Sequence, residues 1–192
     1  MTAVSAKSAS IAALAASLMI IGSAQAVDRT VVGKYGMIVA GHPLAVESGL
    51  RALRAGGTAC DAAVATATTL SVMMPDMMGP AGSGFALLWD EKKKDLSSID
   101  YNGVAPKATK AADFTLEKKL RGFMAPTVPA NLKGWEAVHK KCGKLPWASL
   151  WADAIDYAEN GRPVDFDSSF HTRRHITELG IYDSWSKEFL IN

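Results

Sequence analysis

The stretch Met74–Asp90, MPDMMGPAGSGFALLWD, limits the possible folds of this chain most strongly. It joins an Ala-rich helical pattern to a strand pattern through a turn that contains Gly79, Gly82 and Gly84. Glycine has no Cβ, so such a turn suits positive φ angles or the close approach of another segment or a ligand. The apolar run Phe85–Trp89 follows at once and predicts a strand that is buried on both faces.

The segment before this glycine turn predicts a buried helix. Residues Ala62–Val72 are almost all Ala, Val, Thr, Leu and Met, and either Thr58 or Asp61 is the expected cap. A helix that is apolar around most of its surface must be covered by other elements. A second helix of about ten residues is predicted from Leu44 up to the Gly56-Gly57 stop, because apolar residues recur there at helical spacing.

Helix and strand patterns alternate along the rest of the chain. Met37–Ala40 and Leu96–Asp100 have strand composition, and the second of these is expected to pair with Phe85–Trp89 in a β-hairpin. Further helices are predicted from Asn131 to about Cys142, from Leu145 to the stop at Gly161, and over Phe166–Leu179. The predicted fold class is therefore α/β (α+β).

The amino terminus predicts export. Ile11–Gly22 is an apolar run, and the small residues of Ala24-Gln25-Ala26 form a cleavage motif. We expect residues 1–26 to be a secretory signal peptide cut between Ala26 and Val27, and residues 27–192 to be exported, to the periplasm. The apolar run is shorter than the roughly 20 residues of a membrane span, so no membrane anchor is expected. An uncleaved anchor helix is the alternative interpretation.

The charge and the cysteine content exclude some classes of function. The chain has 21 basic and 19 acidic residues, and a nearly neutral protein lacks the electrostatic footprint of a nucleic-acid binder. No nucleic-acid partner is expected. Cys60 and Cys142 could pair in an oxidising compartment, but their spacing leaves the pairing open. Cys60 also suits the role of a small buried hydrophobic residue.

No complete catalytic set is visible in the sequence. The glycine turn follows a helix and precedes a strand, which is the reverse of the order that phosphate binding at a helix N-terminus needs. There is no G-x-S-x-G nucleophile motif. His171 and His175 have a spacing that can bind a metal ion, but no Glu stands in the H-E-x-x-H position and Arg173 and Arg174 lie between them. A solvated polar face is the favoured interpretation, and no metal site is predicted.

Several ordered motifs resemble the amino-terminal part of the γ-glutamyltransferase (γ-glutamyl transpeptidase) family. The resemblance runs collinearly from about Gly36 to about Val164. The motifs are Gly41–Arg54, Ala55–Ser71, the glycine turn with Gly84–Leu87 after it, Ile99–Ala108, and Val128–Leu145 with Pro146 after it.

This resemblance implies an incomplete N-terminal-nucleophile hydrolase with an αββα sandwich. Members of the family are made as a precursor that cleaves itself into a large and a small subunit, and a threonine at the new amino terminus of the small subunit is the nucleophile. The γ-glutamyl group, usually from glutathione, forms an acyl-enzyme that passes to water or to an amino acid or peptide. The resemblance implies no metal and no organic cofactor.

The resemblance also implies that this chain covers only the front of a large subunit. The catalytic threonine would lie after Asn192, so no catalytic residue is expected in this chain and it is expected to be inactive alone. Its expected partners are the remainder of the large subunit, the small subunit and, in the full-length protein, a small-molecule amide substrate. The glycines of the turn are then expected to serve close packing rather than chemistry.

One departure from the family pattern concerns substrate binding. The transpeptidases usually carry an arginine in a D-[FY]-R-E segment, where it pairs with the α-carboxylate of the donor, whereas this sequence reads Asp100-Tyr101-Asn102-Gly103. Asn can offer a hydrogen bond but no bidentate ion pair. Asn102 is therefore the candidate substrate-binding residue. A γ-glutamyltransferase-like acylase or amidohydrolase that acts on another amide, a plain turn role for Asn102, and a non-catalytic binding module are the alternatives.

Overall fold

A computed structural model of the chain describes residues 31–120 and 122–189. The predicted signal peptide and its cleavage site lie outside the described residues. Residues from Tyr35 onward form a unit of their own, distinct from residues 1–34. The elements of this unit are α1 (Pro43–Arg54), α2 (Ala59–Met73), β1 (Gly84–Asp90), β2 (Asp95–Tyr101), α3 (Leu116–Leu120), α4 (Asn131–Cys142), α5 (Ala152–Asn160), α6 (Phe166–Leu179) and α7 (Asp183–Phe189).

Helix α2 lies at the centre of this unit. Thr58 is its cap, because the Asp61 N–H donates to Thr58 Oγ1 and the Thr58 N–H donates to the Asp61 carboxylate over 2.7 Å. Helices α1, α4 and α5 and the 3₁₀ turn Trp147–Trp151 all pack against α2. The prediction of a buried, capped helix is confirmed, although the helix begins at Ala59 rather than at Ala62.

Small and polar side chains let α1 and α2 approach closely. A Cβ at Gly49 of α1 would clash with the Thr66 hydroxyl of α2. Nearby, the buried Thr69 hydroxyl donates to Ser48 Oγ over 2.9 Å. The Gly-Gly stop predicted after α1 is also confirmed, since Gly56 has a φ of +84° just beyond the helix end.

The hydrophobic core lies between α1, α2, α4 and the Trp147–Trp151 turn. Its buried members are Ala52, Cys60, Val64, Ala65, Trp135, Val138 and Leu150. A disulfide joins Cys60 at the start of α2 to Cys142 at the end of α4, with a Cα–Cα distance of 5.7 Å. The structure therefore decides the pairing that the sequence left open, and Cys60 is also fully buried as a core residue.

The β-hairpin is confirmed, but the predicted burial of its first strand is wrong. β1 and β2 pair antiparallel from Gly84 opposite Tyr101 to Asp90 opposite Asp95. The inward side chains Ala86, Leu88 and Ile99 pack against the core. On the other face, Phe85 is 65%, Leu87 75% and Trp89 56% exposed. The sheet of the described residues has two strands and the helices cover only one of its faces, so an apolar run was mistaken for two-sided burial.

Two other predicted elements differ from the structure. Met37–Ala40 is not a strand, because it pairs with neither strand of the sheet in the described residues. The helix predicted from Leu145 begins as the 3₁₀ turn Trp147–Trp151 and continues as α5, with Gly161 at a φ of +91° as its stop. The bounds predicted for α6, Phe166–Leu179, are confirmed. Within the ranges 31–120 and 122–189, no helix has the length and hydropathy to cross a bilayer.

Candidate substrate-binding segment

The glycine turn is held by the first residues of α4. The Asn131 amide nitrogen Nδ2 donates to the Gly79 carbonyl over 2.7 Å, and the Asn131 backbone N–H donates to the Gly82 carbonyl over 2.8 Å. The Leu132 N–H donates to the Pro80 carbonyl over 3.2 Å. The first N–H groups of a helix have no partner within the helix, and here the turn supplies their acceptors. The turn is therefore a docking point for α4.

Two glycines of this turn, Gly82 and Gly84, lie where a side chain would not fit. A Cβ at Gly82 would lie 2.7 Å from Asn131 Nδ2, and a Cβ at Gly84 would lie 2.8 Å from the ring of Tyr101. Both distances are shorter than a van der Waals contact. The expectation that the glycines serve close packing is confirmed for Gly82 and Gly84, whereas a Cβ at Gly79 would meet nothing within 4 Å.

Tyr101 fixes the end of β2 against α4. Its ring packs on Gly134, where a Cβ would clash with it, and its hydroxyl donates to the Phe85 carbonyl over 3.3 Å. Burial raises the pKa of the Tyr101 hydroxyl, so the hydroxyl stays protonated and remains a donor at neutral pH. The chain consequently leaves β2 from a defined position.

Asn102 follows directly and has a fixed backbone but an exposed side chain. Its N–H donates to Asp100 Oδ1 over 2.9 Å. Beyond it, a Cβ at Gly103 would lie 2.6 Å from the Val128 carbonyl oxygen, and the Val128 N–H donates to the Val104 carbonyl over 2.9 Å. The structure thus presents the Asn102 amide at the surface, between two anchored neighbours.

The chemistry available at this position is neutral hydrogen bonding. An Asn amide can donate to a carbonyl or carboxylate oxygen and can accept from an N–H group, but it carries no charge. The neighbouring Asp100 carboxylate is engaged with the Asn102 N–H and adds negative charge beside the amide. A substrate carboxylate would therefore be bound more weakly here than by a guanidinium.

The other residues that the sequence analysis considered do not join Asn102 in a site. His175 Nδ1 lies 3.2 Å from Glu178 Oε2 on the surface of α6, with both side chains 44% exposed, as expected for a solvated polar face. In the part of the chain that the structure describes, no three or more His, Cys, Asp or Glu side chains are grouped to hold a metal ion.

The sequence predicts Asp61 only as a possible cap, and the structure gives it a larger role. Its fully buried carboxylate accepts the N–H groups of Lys144 and Leu145 at 3.0 and 3.1 Å, in addition to its bonds with Thr58. Burial raises the pKa of this carboxyl, but the donors of Thr58, Lys144 and Leu145 outweigh burial and leave the pKa below its ordinary value. Asp61 therefore stays charged and ties the start of α2 to the segment after α4.

The comparison with known families decides the membership of this chain. A family model described as gamma-glutamyltranspeptidase matches residues 45–192. The chain belongs to the gamma-glutamyltranspeptidase family. The resemblance recognised in the sequence motifs is confirmed.

Individual relatives show how much of a family member's length this chain covers. The chain is 40% identical over 144 residues to the glutathione hydrolase proenzyme of Bacillus subtilis strain 168, covering 70% of this chain and 24% of that protein. It is 36% identical over 168 residues to the oxamate amidohydrolase proenzyme of Klebsiella pneumoniae, covering 83% of this chain and 32% of that protein. This family member thus spans about a quarter to a third of the length of these curated relatives.

A solved structure confirms the fold class. The crystal structure of Helicobacter pylori gamma-glutamyltranspeptidase matches with a TM-score of 0.77 and 31% identity, covering 83% of this chain and 48% of that chain. The chain is accordingly an α/β protein that forms part of the N-terminal-nucleophile hydrolase fold of the gamma-glutamyltranspeptidases.

Proposed function

We propose that this chain is the amino-terminal part of an exported N-terminal-threonine amide hydrolase or acyltransferase and is inactive alone. Its family membership supports the reaction class, and its share of the relatives' length supports a larger functional protein. The remainder of the large subunit and the small subunit are the proposed partners. The small subunit would supply the threonine nucleophile, whose own amine serves as the base.

The exposed amide of Asn102 is the observation that carries the proposed substrate preference. In the full-length protein, a donor such as glutathione would meet an uncharged hydrogen-bonding group where the transpeptidases have arginine. Activity on γ-glutamyl amides is the first candidate function. Hydrolysis of another amide is the second, and the missing guanidinium favours it; an oxamate amidohydrolase proenzyme is also among the relatives of the chain.

A chimera tests the proposed role of Asn102. Residues 45–192 of this chain would replace the matching part of the B. subtilis glutathione hydrolase, and the hydrolysis of a γ-glutamyl anilide would be measured. We expect Asn102→Arg to raise kcat/KM by about tenfold or more, because a charge-assisted bidentate pair is worth roughly 1.5–3 kcal/mol. Asn160→Arg, at the end of α5, is the matched control and should change nothing.

A second substrate makes the chimera experiment specific. With a γ-glutamyl anilide whose α-carboxylate is capped as an amide, Asn102→Arg should give no gain, because the arginine then has no anion to bind. An equal gain on both substrates, or no gain on either, means that Asn102 does not occupy the carboxylate-binding position. The isolated chain should show no hydrolysis of either substrate.

Export is proposed from the signal sequence and is supported by the disulfide. Disulfides persist in oxidising compartments and are rare in the cytosol. The test is to fractionate cells that express the full chain and to determine the amino terminus of the product by mass spectrometry. A periplasmic product that begins at Val27 is expected. A cytosolic product that keeps Met1 and has two free thiols would contradict export.

A further inference from the structure

The Cys60–Cys142 disulfide and the buried Asp61 carboxylate both hold the segment that follows α4. The two cysteines are separated by 82 residues, and they join the first turn of α2 to the end of α4. Asp61, directly after Cys60, accepts the N–H groups of Lys144 and Leu145, which follow Cys142 across Gly143. The segment Gly143–Leu145 is therefore tied to the start of α2 both through the disulfide and through the carboxylate.

The two cysteine residues differ in exposure. Cys60 is 0% exposed and belongs to the hydrophobic core, whereas Cys142 is exposed at the end of α4. A disulfide is opened by a thiolate that attacks one of its sulfurs, and the accessible sulfur reacts. Reductants should therefore reach this bond through Cys142.

We propose that this disulfide is a redox-sensitive clamp, opened through Cys142, that holds Gly143–Leu145 on the Asp61 carboxylate. In the first step a small thiolate bonds to Cys142 Sγ, the S–S bond breaks, and Cys60 leaves as a thiolate that takes a proton from water. In the second step another thiolate attacks the reductant's sulfur and releases Cys142 as a thiolate, which is also protonated. The protein gains two electrons and two protons, and the reductant becomes a disulfide.

Opening the clamp changes the surroundings of a buried charge. In the closed state two N–H donors from Lys144 and Leu145 accompany those of Thr58 at the Asp61 carboxylate. In the reduced state non-covalent contacts alone keep this segment in place: the two bonds to Asp61, the packing of Leu145 against the core, and the contact of His139 Nε2 with the Leu145 carbonyl at 2.8 Å. Openings that bring water to Asp61 should become more frequent, since a buried carboxylate is costly without its donors.

Amide hydrogen exchange of the purified oxidised chain, with and without dithiothreitol, tests the clamp. We expect the amides of Lys144 and Leu145 to exchange about tenfold or more faster after reduction. The Ser168 amide, which donates to Asp165 Oδ1 over 2.7 Å in α6, is the internal control and should not change. Unchanged exchange at Lys144 and Leu145 overturns the clamp. An equal increase at Ser168 also overturns it, because the disulfide would then hold the whole fold.

Two single variants test the route through Cys142. Under native conditions, iodoacetamide should label Cys142 in Cys60→Ser about tenfold or more faster than it labels Cys60 in Cys142→Ser. In denaturant the two rates should converge. Glutathione applied to the unaltered chain gives a second measurement that needs no variant: the trapped mixed disulfide should map to Cys142. Equal native labelling rates, or a mixed disulfide on Cys60, overturns this route.

Discussion

A single buried carboxylate connects two distant segments of this chain. Asp61 completes the capping box of α2 with Thr58 and also binds the backbone of Lys144 and Leu145. The sequence reveals the first role, because a Thr three residues before an acidic residue at the start of an apolar run is a local pattern. It does not reveal the second, because 83 residues separate Asp61 from Lys144 and nothing in a backbone N–H marks its acceptor.

The loss of this carboxylate should destabilise the fold. Asp61→Ala leaves the N–H groups of Thr58, Lys144 and Leu145 without their acceptor, and we expect a loss of about 2–4 kcal/mol in the free energy of unfolding. Urea unfolding of the oxidised chain measures it. Asp76→Ala is the matched control: Asp76 is exposed, so its change should stay within about 0.5 kcal/mol. Similar urea midpoints for both variants would show that the hydrogen bonds of Asp61 contribute nothing to the stability of the fold.

The charge of Asp61 should also appear in the acid sensitivity of the fold. Its pKa in the folded chain lies below the ordinary value, so its contribution to stability is fully present above about pH 5 and is lost as the pH falls below about 4. Asp61→Asn removes this titration. The stability of the variant should then fall less steeply than that of the original chain between about pH 5 and pH 3. Parallel pH profiles would contradict the assignment.

Asn102 shows how far a motif can locate a site. The resemblance of the motifs predicts that it occupies the position of the family's arginine, and the structure shows that Asn102 is an exposed residue directly after β2. The anchoring of its neighbours by Gly134 and Val128 has no signal in the sequence, since both contacts come from a segment that is distant along the chain.

At the scale of elements, local patterns located helices better than strands. The α6 bounds were predicted because capping, helical spacing and a final glycine are all local. Met37–Ala40 has strand composition, but a strand also needs a neighbour, and composition does not show whether one is present. The same reason explains why the predicted burial of β1 is wrong. Its apolar run predicts burial on both faces, but the described residues bury only one of them.

The glycine turn offers a matched pair of substitutions. Gly82→Ala would place a Cβ 2.7 Å from Asn131 Nδ2, whereas a Cβ at Gly79 meets nothing within 4 Å. Asn131 is buried and donates to the Gly79 carbonyl, so it cannot move without losing that bond. We expect Gly82→Ala to cost about 1–3 kcal/mol and Gly79→Ala less than about 0.5 kcal/mol, as measured by urea unfolding. Equal costs would contradict the docking of α4 on this turn.

At the scale of the whole molecule, the outer face of the β-hairpin determines how the isolated chain should behave. Phe85, Leu87 and Trp89 lie exposed on it, with Leu96 62% exposed opposite Trp89. Exposed apolar sheet faces and open edges favour association. We therefore expect the isolated residues 27–192 to be poorly soluble and to self-associate as the concentration rises. A sedimentation profile that stays monomeric as the concentration rises would contradict this expectation.

Two adjacent leucines separate the effect of that face from the effect of the core. Leu87 is on the exposed face, and Leu88 packs against the core. Leu87→Lys should raise the soluble fraction of the isolated chain and leave its stability within about 0.5 kcal/mol. Leu88→Lys should destabilise it by about 2–4 kcal/mol, because a charge would enter an apolar site. Sedimentation measures the soluble fraction of each variant, and urea unfolding measures its stability. Equal stability of the two variants would mean that Leu88 is not covered by the core.

The disulfide between α2 and α4 also closes residues 60–142 into a covalent ring, and the β-hairpin and Asn102 are part of this ring. The exposed stretch 104–120 belongs to the same ring. A single peptide-bond cut there opens the ring and gives two fragments, which the Cys60–Cys142 disulfide keeps joined. A nicked chain should therefore migrate as one species in a non-reducing gel and as two in a reducing gel. Proteolytic cleavage in this stretch would therefore not be detected by a method that leaves the disulfide intact.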